Sequence, residues 1–147
     1  MSIKRFAVLL IPCALLAADR DWPRWRGPDN NGMARGDAPL EWSDTKNVAW
    51  RTPIPGRAHS SPVVWGDRVM LTTAVPSGNT TAAVEPQQPS RSPGGGSGAG
   101  VEHKFMLLCL NRNTGKILWE RVAIVAKPHE GFHRQYGSFA SNSPVTD

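Results

Sequence analysis

Residues 129–133 read His-Glu-Gly-Phe-His, a literal match to H-E-x-x-H. On a helix, that spacing sets two imidazoles on one face to bind zinc and places the glutamate as general base. The surrounding residues work against this geometry. Pro128 precedes the match, Gly131 lies inside it and Gly137 follows, with no apolar helical stripe and no third ligand apparent. The stretch is therefore expected as loop, and metal ligation is not expected from it. Polar side chains on a loop carried by a rigid scaffold can still line a pocket. On that ground His129, Glu130, His133, Arg134 and Tyr136 are the candidate ligand-binding residues.

Other reactive residue types are poorly supported. Ser60, Ser61 and Ser143 have no evident His–Asp partners for a hydrolase triad. The glycines between 94 and 100 lack the following helix and Lys-Ser/Thr of a phosphate-cradling loop. Cys109 lies in the apolar run Phe105–Leu110, where a buried, inert thiol is the expectation. The six tryptophans tempt one towards a sugar or cofactor platform. Core packing is the simpler reading for Trp119, and Trp22, Trp25, Trp42 and Trp50 read as packing anchors.

The elements that must carry these residues centre on 111–120, Asn-Arg-Asn-Thr-Gly-Lys-Ile-Leu-Trp-Glu. Asn111, Asn113, Thr114 and Gly115 are turn residues between two strand-like runs, Phe105–Leu110 and Ile117–Val125. A β-hairpin follows, with Trp119 projecting from its second strand, and such a hairpin must stack on something to persist. A second hairpin is expected from Ser60–Trp65 and Arg68–Val75 around the turn Gly66-Asp67. Asn47–Thr52 reads as a short strand stopped by Pro53 and Pro55. Residues 19–47 have no helical period and read as an extended lead-in. Residues 76–101 hold almost no large apolar side chains and read as a disordered insertion, a flexible interdomain linker being the competing reading.

At the N-terminus, Lys4 and Arg5 precede an apolar run, Phe6–Leu16, and then Ala17-Ala18. This is the pattern of a secretory signal over residues 1–18, and the run is too short to span a bilayer. Pro12 directly before Cys13 is wrong for a lipoprotein site. Removing the segment leaves 15 basic and 12 acidic residues, scattered along the chain, and Cys109 as the sole cysteine. Nucleic-acid binding needs a clustered basic face, so none is expected. No disulfide within the mature chain and no transmembrane span in it are expected either.

Ser143-Pro144-Val145 echoes Ser61-Pro62-Val63 at an offset of 82. Setting aside the 26 residues of the insertion leaves 56, the length of a blade-like repeat. Trp50-Arg51 before the first echo matches Trp119-Glu120-Arg121 before the second. One repeat of four strands thus runs over 60–127. Residues 19–59 precede it, and 128–147 form a loop and the start of a second repeat.

Thr114-Gly115-Lys116 followed by Trp119 resembles the signature of the pyrroloquinoline-quinone-type (PQQ-like) β-propeller repeat. Ser-Pro-Val before Gly-Asp-Arg-Val at 61–69 is similar to the start of such a repeat, and Trp-Pro-Arg-Trp-Arg-Gly-Pro at 22–28 resembles the N-termini of exported bacterial members. The resemblance implies an all-β chain: a β-propeller of four-stranded antiparallel blades, with about one blade and the N-terminal lead-in present in an N-terminal fragment. It also implies that Asn47–Thr52 is a candidate ring-closing strand and that Trp119 stacks between blades. The protein would be exported, periplasmic or extracellular, and would bind a protein or small-molecule ligand at the propeller mouth.

Two functions fit the resemblance. One is a non-catalytic binding or assembly scaffold. The alternative is a quinoprotein alcohol dehydrogenase, in which calcium polarises PQQ and a carboxylate takes the substrate's hydroxyl proton. The alternative requires an ion-binding set, a carboxylate base and often an adjacent cysteine pair, and none is recognisable in the sequence.

Overall fold

In the computed structural model, residues 21–36, 38–77, 99–133 and 136–147 are described. The expected signal segment, most of the expected disordered insertion, and Arg134 lie outside the described residues. All regular structure is β: β1 (Val63–Trp65), β2 (Arg68–Pro76), β3 (His103–Asn111) and β4 (Ile117–Ala126). They form one antiparallel meander in the order β1-β2-β3-β4, and the sheet is not closed. Among the described residues no helix is long and apolar enough to cross a membrane.

β2 and β3 pair over their whole length, from Arg68 opposite Asn111 to Pro76 opposite His103. The β2–β3 connection therefore joins neighbouring strands of one sheet. Its neck is drawn together where Ser77 N donates to Glu102 O at 2.7 Å. The β3–β4 turn is built as its residues dictate. Asn111 Oδ1 accepts from Asn113 N, Thr114 N and Thr114 Oγ1 at 2.9–3.1 Å. Gly115 then takes φ 69°, a left-handed conformation that glycine adopts without strain.

Two expected strands differ. β1 begins at Val63 rather than Ser60, because the preceding backbone is engaged elsewhere. His59 N and Ser60 N donate to Ala140 O, and Ser61 N donates to Ser143 Oγ. Residues 47–52 form no strand. They cross the β3–β4 turn instead, where Trp50 Nε1 donates to Arg112 O at 2.7 Å and Thr52 Oγ1 to Gly115 O at 2.6 Å. Side-chain anchoring on a turn replaces ladder pairing.

The core sits in the middle of β2 and β3. Alternation puts Val63, Ala74 and Cys109 on one face and Thr73, Leu108 and Leu110 on the other, and all six are buried. On the first face Phe139 packs edge-on to His103 (centroids 4.8 Å apart) and against Phe105, while Phe132 meets Phe139 edge-on at 4.8 Å. On the second face Thr73 Oγ1 donates to Pro55 O at 2.6 Å, and the Arg57–Ala74 bridge extends β2's pairing beyond β1.

β4 is different. Ile117, Leu118, Val122, Ile124 and Val125 are all exposed on an outer strand that has no second neighbour among the described residues. A long apolar edge templates pairing with other chains. Ile124→Lys is expected to suppress concentration-dependent association, as followed by light scattering, while leaving the circular dichroism of the sheet unchanged. Equal association in both proteins would show that this edge is not the contact.

Candidate ligand-binding cleft

Two remote segments are tied together beside β1. Asp21–Pro23 runs antiparallel to it, with Trp22 N donating to Val64 O at 2.8 Å and Val64 N to Trp22 O at 2.9 Å. The Trp22 ring lies over Gly27, where a Cβ would come within 2.8 Å of it, and Trp22 Nε1 donates to Trp25 O. The turn carrying Trp25 is thereby fixed. The second segment folds through a serine-rich turn: Ser138 N donates to Ser141 Oγ, and Ala140 N to Ser138 Oγ. It is clamped where Thr72 Oγ1 donates to Asn142 O and Thr146 N to Pro23 O.

The two Ser-Pro-Val echoes meet here, Ser61 N donating to Ser143 Oγ at 2.8 Å. Around this contact opens a cleft of about 530 Å³. Trp25, His59 and Ser61 line one part of it, and Tyr136 with Ser141, Asn142 and Ser143 the rest.

Of the four candidate residues that are described, only Tyr136 lines the cleft. His133 stands behind it, its ring stacked on Tyr136 at 4.9 Å and 17°, with Nδ1 accepting from Tyr136 N at 3.3 Å. His129 is 93% and Glu130 86% exposed, 4.0 Å apart and outside the cleft lining. Arg134 lies outside the described residues. No helix forms over 129–133, so the two imidazoles are not set on a common helical face.

The tryptophans divide. Trp22 and Trp50 are half-buried anchors, as expected, whereas Trp25 (66%) and Trp42 are exposed. Trp119 is half-buried, with the Arg121 guanidinium 5.8 Å from its ring centroid. Sequence reasoning missed Trp25, His59, Asn142 and the serines as cleft residues. The Ser-Pro-Val echo was the available signal, since it marked two equivalent positions without indicating that they touch.

Cys109 is fully buried, and burial pushes its thiol above the ordinary range, with Arg68 opposing and Asp67 adding to the shift. Its folded pKa thus exceeds its unfolded one. Its contribution to stability is complete below the unfolded thiol's pKa, about 8.5, and is lost as pH rises from there through the folded value. The urea midpoint should fall above that pH, and Cys109→Ala should flatten this part of the dependence. An unchanged alkaline slope in the variant would assign the loss to other groups.

Among the described residues no group of three or more His, Cys, Asp or Glu is placed to hold a metal ion, and Cys109 has no cysteine partner. These residues do not assemble the donor set of a quinone–calcium centre. No protein-family model, curated protein or solved structure matches the chain.

Proposed function

We propose that this chain supplies a blade of an exported PQQ-like β-propeller, and that the protein works as a non-catalytic binding or assembly scaffold. One observation carries the reading. Two like segments, 82 residues apart, touch through Ser61 N and Ser143 Oγ at the head of a four-stranded antiparallel meander. Radial repetition about a central channel brings equivalent residues of successive repeats side by side in this way. The apolar residues buried on both faces of β2–β3 fit a blade, which is covered on both sides. The cleft beside the paired segments offers hydroxyls, an amide, the His59 imidazole and exposed rings, with no carboxylate in its lining. A protein or small-molecule ligand held there is the scaffold's cargo.

The test supplies PQQ and calcium to the protein and follows dye-linked oxidation of primary alcohols. No turnover and no saturable quinone binding are expected. Calcium-dependent turnover would overturn the scaffold reading in favour of a quinoprotein dehydrogenase.

A further inference from the structure

We propose that the cleft beside β1 binds a neutral saccharide chain. This names the ligand class for the scaffold reading above and rests on it. The first argument is charge. No Asp, Glu, Lys or Arg lines the cleft, and His59 and Tyr136 are its only ionisable side chains, so no fixed charge in the lining selects an ionic ligand.

The second argument is the kind of hydrogen-bonding group. Serine and tyrosine hydroxyls and the asparagine amide each both donate and accept. Saccharide hydroxyls do the same, whereas an extended proline-rich peptide presents mainly carbonyl acceptors and calls for donors alone. Several of these groups are unspent. The Asn142 amide, the Tyr136 hydroxyl, the Ser61 hydroxyl and the Trp25 indole N–H make no hydrogen bond to other described residues; the bonds of Asn142 and Trp25 run through their backbone carbonyls. The Ser141 hydroxyl, by contrast, is committed to Ser138.

The third argument is the pair of rings. Trp25 and Tyr136 are 66% and 74% exposed, yet each is braced. The Arg26 guanidinium lies 5.9 Å from the Trp25 ring centroid, and His133 stacks on Tyr136. A braced aromatic ring offers a flat apolar surface at low ordering cost, suited to the C–H face of a pyranose. The cleft volume, about 530 Å³, lies within the ~300–1,000 Å³ of small-ligand sites.

The experiment titrates the full chain with cellohexaose, maltohexaose and mannohexaose in parallel, reading tryptophan fluorescence and amide shifts, with a proline decamer alongside. At least one hexaose should bind saturably, with a Kd between micromolar and millimolar. Trp25→Ala and Asn142→Ala should each weaken it at least about tenfold. Both variants keep the backbone carbonyls that those residues use in the fold. Saturation by the proline decamer alone, by none of the probes, or equally in both variants would overturn the proposal. Hydrogen exchange separates the two levels. If β2–β3 amides are protected and no hexaose binds, the ligand class fails and the scaffold survives. If those amides are unprotected, both fail.

Discussion

Gly115→Ala should cost about 2–4 kcal/mol in stability, large against the ~5–15 kcal/mol of an ordinary domain. Two penalties combine. Gly115 sits at φ 69°, where a Cβ strains the backbone. The added Cβ would also lie 2.5 Å from Trp50 Cε3, 2.6 Å from Trp50 Cδ2 and 2.7 Å from Thr52 Oγ1. The indole cannot simply step aside, because its N–H is held by Arg112 O. Relief therefore means detaching residues 50–52 from the turn. The check is a urea midpoint for Gly115→Ala beside Trp50→Ala. The double variant should lose less than the sum of the two, since both single variants lose the docking of the same segment and the Cβ has no indole to meet once Trp50 is truncated. Strict additivity would separate the glycine from the docked segment, leaving backbone strain as its whole role.

That docking separates what the sequence makes legible from what it does not. The strands were readable because their signals are local. Arg68–Val75 was expected and Arg68–Pro76 is found; Ile117–Val125 was expected and Ile117–Ala126 is found. The Asn-rich turn and its glycine act over five residues, so their chemistry is visible in the chain itself. Asn47–Thr52 had strand-like composition, but Trp50 and Thr52 find partners more than 60 residues away. Composition is silent about such partners.

The cleft suffers from the same distance. His129 and Glu130 caught attention through a motif spacing that has meaning only on a helix, and Pro128 and Gly131 prevent one. Trp25 was read as a packing anchor because indole is large and apolar. Burial depends on what arrives above the ring, and among the described residues Trp22 takes the packing role and leaves Trp25 open. Tyr136 rests on the same loop argument as His129, Glu130 and His133, and of these four it alone lines the cleft.

Leu108→Ala tests the remaining structural premise, that the sheet is covered on both sides. Leu108, Cys109 and Leu110 are consecutive and all buried. Because side chains alternate, a sheet packed on one face alone would show buried and exposed residues in turn; an unbroken buried run belongs to a strand covered on both faces. Leu108 is opposite Leu71 and Glu120 and has no exposed surface. Deleting its isobutyl group removes transfer free energy and leaves a cavity, together about 3–5 kcal/mol. Val122, on exposed β4, should lose no more than about 0.5 kcal/mol on truncation to alanine. The contrast is the informative quantity, because both residues belong to one sheet and differ chiefly in cover. If the two variants unfold at similar urea concentrations, the second face of β3 is open to water in solution. The sheet then has one packed side, and a blade held between neighbours loses its energetic basis.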